Sequence, residues 1–101
     1  MARTTLKIPY TDYEQANKTI REILFSQGYS ERFKDGSVYW QRGTGVATAP
    51  QCLQFNFSET EITISGWISN LGKECALSGI FGMVPKKKVL ETIQILKMNI
   101  K

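Results

Sequence analysis

The chain has 101 residues, 42% of them hydrophobic and 22% charged, with 13 Lys+Arg against 9 Asp+Glu for a net charge of +4. These proportions describe one ordinary globular domain spanning 1–101, which buries roughly two-thirds of its unfolded surface and needs no second domain, disulfide or metal to hold a core. Histidine is absent, which removes Ser-His-Asp and Cys-His catalysis, His general bases and every His-ligated metal site.

In chain order, Arg3 to Ile8 alternates polar with apolar residues and predicts a short strand ending at Pro9. Thr11-x-x-Glu14 has the form of a capping box. Behind it Tyr13, Ala16, Ile20, Ile23, Leu24 and Gln27 fall within an arc of roughly 100°, the core-facing stripe of a helix that Gly28 ends. From Tyr29 the period becomes two. Tyr29 to Phe33 and Val38 to Gln41 flank Lys34-Asp35-Gly36-Ser37, whose Asp-Gly is a strong hairpin signal. Arg42 to Pro50 is predicted to be a loop, and its Arg42-Gly43-Thr44-Gly45 segment is at most a weak ligand candidate. Cys52 to Phe57, Ile62 to Ile68 and Glu74 to Gly79 complete the strands, with Asn70-Leu71-Gly72 as a turn. A final helix is expected from Pro85 to about Ile100, with Val89, Ile93, Leu96 and Ile100 on one stripe and Leu90 beside it. The predicted fold is α+β: a five- or six-stranded, mostly antiparallel sheet in the order β-α-β-β-β-β-β-α, with both helices on one face.

Pleating sorts the strand residues onto two faces. The buried face takes Val38, Trp40, Leu53, Phe55, Phe57, Ile62, Ile64, Ile68, Cys75 and Leu77. The other takes Ser30, Arg32, Tyr39, Gln41, Cys52, Gln54, Asn56, Thr63, Ser65, Trp67, Glu74, Ala76 and Ser78. Cys52 and Cys75, 23 positions apart, then point to opposite sides and cannot form an intramolecular disulfide without a bulge. Neither belongs to a C-x-x-C pair, and no base adjoins Cys52 to lower its pKa, so both read as inert thiols. No cofactor or metal is implied.

Two features suggest function. On the open face, Tyr39 and Trp67 are candidate stacking platforms, with Arg32, Gln41, Gln54 and Asn56 as hydrogen-bonding neighbours, as in sheet-face binders of nucleic acid or ligands. Against that stands the ordinary solvated side of an antiparallel sheet. Second, Lys86-Lys87-Lys88 follows Pro85 directly. Residues 73–101 hold six Lys against two acids, so the excess positive charge lies in the last third. Cations oppose the positive end of a helix, by roughly 0.3–1 kcal/mol each, yet N–H and ammonium groups together make a natural anion site. Solubility alone is the plainer use of three such lysines. The spacing of a P-loop is missing, so nucleotide hydrolysis is not supported.

The stretch Lys73-Glu74-Cys75-Ala76-Leu77-Ser78-Gly79-Ile80-Phe81-Gly82-Met83-Val84-Pro85-Lys86 resembles short bacterial domains, mostly from Gram-positive species, that carry K-E-x-A-L-x-G-x-x-G-x-x-P-K after an early helix ending in Gly-Tyr, here Gly28-Tyr29. The resemblance implies a fold and no activity. The element order is also similar to the half-repeat of TATA-binding-protein-like folds. The expectation is a non-catalytic binding module for an anionic ligand, nucleic acid or protein partner. It would use the open sheet face and the lysine-rich helix start. The alternatives are a small hydrolase or transferase using Cys52 or a carboxylate, and an oligomerisation domain, with Ile95 and Met98 as a candidate homodimer contact. A polar N-terminus and the absence of an apolar run longer than Gly79 to Val84 predict no membrane span and a cytoplasmic location.

Overall fold

The apolar alternation of the strand segments and the helical stripes converge on one core. In the computed structural model, residues 3–43, 50–70, 73–75 and 83–101 are described. They form β1 (Thr4–Pro9), α1 (Tyr13–Ser26), β2 (Ser30–Lys34), β3 (Ser37–Arg42), β4 (Gln51–Phe57), β5 (Glu61–Asn70), β6 (Lys73–Cys75) and α2 (Met83–Asn99). All pairings are antiparallel, in the order β1-β5-β4-β3-β2, with β6 also on β5. The predicted α+β architecture is present. The expected loop from Thr44 to Ala49, the turn at Leu71 and Gly72, and the expected strand beyond Cys75 with Gly79 and Gly82 lie outside the described residues.

One strand organises the sheet. β5 is ten residues long and carries β4 along one edge. On its other edge β1 covers Glu61 to Gly66 and β6 covers Ile68 to Asn70, because Ile68 pairs with Gln51 on one side and Cys75 on the other. Trp67 therefore sits where β1 and β6 meet end to end.

The core lies on one face. Leu53, Ile62, Ile64 and Ile68 of the sheet meet Ala16, Ile20 and Leu24 of α1 and Val89, Ile93 and Leu96 of α2, all of them buried. Each Ile or Leu taken fully out of water contributes roughly 1.5–3 kcal/mol. Trp40 is buried as expected, and Phe55 and Phe57 pack partly buried against the cluster. Among the described members of the expected buried face, Val38 is the exception, 39% exposed, while the Cys75 and Leu77 side chains lie outside the described residues. Val38 pairs with the still more exposed Phe33 near the hairpin turn and borders a cavity between α1 and the sheet.

Local chemistry explains the boundaries. The N-cap of α1 is Asp12 rather than Thr11: the Asp12 carboxylate accepts the Glu14 and Gln15 N–H groups at 3.0 and 3.5 Å. Asp12 has the extended backbone a cap needs (φ −132°). Thr11 instead donates its N–H and hydroxyl to the main-chain oxygen of Lys101, at 2.9 and 3.1 Å. Gly28, at φ +87°, turns the chain out of the helix. The Tyr29 N–H returns to the Leu24 carbonyl and the Gly28 N–H to that of Phe25, closing a Schellman motif. Asp35 and Gly36 both have positive φ and form a two-residue loop between the paired Lys34 and Ser37, as a type I′ turn requires.

Among the described residues, no helix is long and apolar enough to cross a membrane.

Candidate functional site

The register that buries Ile62, Ile64 and Ile68 sends Thr63, Ser65, Trp67 and Ser69 to the other side of β5. Cys52, Gln54 and Asn56 of β4 and Ser37, Tyr39 and Gln41 of β3 share that side. The polar open face thus exists as the pleat predicts, but Trp67 does not stand exposed on it: the indole is 5% exposed. No helix lies over it, since both helices pack on the opposite face. Part of its cover is Arg3. Because Thr4 pairs with Gly66, the residue before it falls opposite Trp67, and the Arg3 guanidinium lies 3.8 Å from the indole ring centre. Its Nη1–H donates to Gln54 Oε1 at 2.9 Å, and Gln54 Nε2–H donates to the Val38 carbonyl at 3.1 Å. The Tyr39 ring stands beside Trp67, centroids 6.1 Å apart.

These groups wall a pocket of about 450 Å³. Gln41, Cys52 and Ser69 complete its floor, and Lys34, Asp35 and Ser37 of the β2–β3 turn form its rim. The volume lies toward the small end of ligand pockets, enough for one planar group with a charged substituent. Two cations, Arg3 and Lys34, face one carboxylate, Asp35. The wider face repeats that bias. Lys7 and Arg32 lie on it against Glu61, although residues 1–72 carry equal numbers of acids and bases in sequence. Asp12, Glu14 and Glu22 lie on and around α1, where Lys18 and Arg21 offset them in part.

Of the expected site residues, Tyr39, Gln41, Gln54 and Trp67 come together in the pocket. Arg32 and Asn56 are exposed on the same face but outside its walls. The lysine run belongs elsewhere. α2 packs on the core side of the sheet, so Lys86, Lys87 and Lys88 cannot share a ligand with the pocket. Nor are they three equivalent cations at a helix start. The helix begins at Met83, placing them beyond its first three positions, and Lys86 is 6% exposed while Lys87 is exposed. Lys86 precedes Val89 by three positions and Ile93 by seven, so helical geometry carries it onto the buried stripe.

Sequence reasoning missed Arg3, Lys34, Asp35, Ser37 and Ser69. Arg3 could have been found from parity, since it shares a strand face with Thr5 and Lys7; the pairing partner that makes it matter is invisible in the sequence. Among the described residues, Tyr29 Oη and Gln51 Oε1 are buried side-chain atoms with no close hydrogen-bond partner. Burial pushes the Tyr29 phenol above the ordinary tyrosine value of 10.0, an effect the neighbouring Thr92 hydroxyl reduces without cancelling. The Thr92 hydroxyl itself donates to the Lys88 carbonyl at 3.1 Å.

No protein-family model matches the chain, and no curated protein matches it in sequence.

Proposed function

We propose that the chain is a non-catalytic binding module that takes an anionic ligand with a planar group in the pocket on the open sheet face. The observation that carries this reading is the Arg3 guanidinium stacked on Trp67 above a concave surface lined by amides, hydroxyls and a tyrosine ring. The stacked cation attracts negative charge, Tyr39 supplies a ring face at the pocket wall, and Gln41, Ser37 and Ser69 supply short-range hydrogen bonding. Lys34 on the rim and Arg32 and Lys7 farther out add an attractive field. Single-stranded nucleic acid combines the same two elements, phosphate and planar base, and stacking contributes about 1–3 kcal/mol per base at such platforms.

The test uses Trp40→Phe, which leaves Trp67 as the single tryptophan. Titration with phenyl phosphate and with a short oligothymidylate should change Trp67 emission, and the affinity should fall as salt is raised. Arg3→Gln should weaken both ligands, while Lys87→Gln, on the other side of the sheet, should leave them unchanged. Unchanged emission with both ligands, or equal affinity for wild type and Arg3→Gln, refutes the proposal.

A further inference from the structure

Among the described residues, β2 is one margin of the sheet, and β3 is its partner there. Four of its five residues, Ser30, Arg32, Phe33 and Lys34, are exposed, and Glu31 is half-buried. The two-residue loop makes Lys34 and Ser37 a hydrogen-bonded pair, and such pairs alternate along an antiparallel ladder. The main-chain N–H and C=O of Glu31 and Phe33 therefore point away from β3, spaced to receive another strand.

The side chains specify what kind of strand. Arg32 and Lys34 project on the open face at the outer margin. Phe33 projects on the other face, 76% exposed. Glu31 is already engaged, accepting from Arg21 Nη1 at 2.6 Å. A second copy of the chain is a poor occupant: two-fold pairing of β2 with itself sets Arg32 opposite Arg32, Glu31 opposite Glu31, or Arg32 opposite Lys34, depending on register. Like charges directly opposite are destabilising. An incoming strand with acids two residues apart and an apolar residue between them meets Arg32, Lys34 and Phe33 together.

We infer that β2 accepts an extended acidic peptide of the pattern acidic-apolar-acidic as an additional antiparallel strand. The main-chain edge of β2 lies beside the pocket rather than within it, although Lys34 belongs to both.

The probe is acetyl-Val-Glu-Val-Glu-Val-amide, titrated into the full chain and followed by amide exchange and Trp67 emission. Slowed exchange of the Glu31 and Phe33 N–H groups is expected, with Trp67 emission unchanged. Arg32→Glu/Lys34→Glu should weaken binding roughly tenfold and favour the corresponding Val-Lys-Val-Lys-Val peptide. In the wild type, N-methylation of the valine amides that face β2 should abolish binding, and N-methylation of the glutamate amides should spare it. Protection confined to the pocket overturns the inference, as does equal loss from both methylated peptides, unaltered affinity in the double variant, or the absence of binding. In the last case the edge charges act only to bar self-association.

Discussion

Replacing Arg3 with alanine removes, among its interactions, the stack on Trp67 at 3.8 Å and the donation to Gln54 at 2.9 Å. A partly shielded cation–π contact contributes about 1 kcal/mol, between the exposed and desolvated limits. The charge-assisted hydrogen bond adds about 1 kcal/mol, kept at the low end because Gln54 borders the pocket and water can take the vacated place. The expected loss is therefore about 2 kcal/mol. At roughly 4 °C per kcal/mol for a domain of this length, Tm should fall by about 8 °C. The same change uncovers one face of the indole, so in the Trp40→Phe background Trp67 emission should move to longer wavelength and become more readily quenched by iodide. Arg3→Lys should recover part of the stability, since an ammonium retains the charge but not the planar fork. Urea melts of the three proteins and of Gln54→Ala, combined as a double-mutant cycle, measure the coupling between the two side chains. A loss below about 0.5 kcal/mol for Arg3→Ala, with Trp67 emission unmoved, would show that Arg3 does not hold the pocket.

Gly28→Ala should cost about 1–2 kcal/mol in a urea melt, from forcing a side chain to φ +87°. Among the described residues, the new methyl would meet only Arg42 Nε, at 3.9 Å. A neutral result would mean that the Schellman turn had relaxed. Tyr29 governs an alkaline limb: burial raises its pKa above 10.0, so the folded chain holds that proton more tightly than the unfolded chain. Its contribution is intact below pH 10 and is lost as pH rises through the raised value. Tyr29→Phe should flatten that loss in melts taken across the alkaline range. Near neutrality it should be within about 1 kcal/mol of wild type, since it deletes a buried hydroxyl whose approach to Thr92 is too long for a full hydrogen bond. An unchanged alkaline limb would refute the assignment to Tyr29.

The elements were legible in the sequence because their signals are local. Period two in β4 and β5, Asp-Gly in the hairpin and Gly28 after a helical stripe each act within a few residues. Errors arose where two local options compete. Thr11 and Asp12 are both sound caps, and the choice between them was made by Lys101, at the far end of the chain. The strand faces were correct for Trp67 and Cys52, yet face does not determine exposure: Trp67 is covered because Arg3 lands opposite it. Lys86 illustrates the reverse error. A charged triplet suggests a solvated surface, but its place on the α2 stripe was readable from the spacing to Val89 and Ile93. The grouping of Lys34 and Asp35 with Trp67 depends on four strands lying side by side, and no pattern within one segment encodes that adjacency.

The placement of β1 has a consequence for how the chain assembles. β2 through β5 join neighbours close in sequence, whereas β1 must find β5 across more than half of the chain. Loop closure over that distance makes such a union late. Arg3 arrives with it, so a partly assembled chain can own a hairpin, two helices and a greasy interior while the open-face pocket still lacks a wall. Capture of the proposed ligand would then report completion of the last seam, and mutations that loosen β1 would abolish it before they melt the rest.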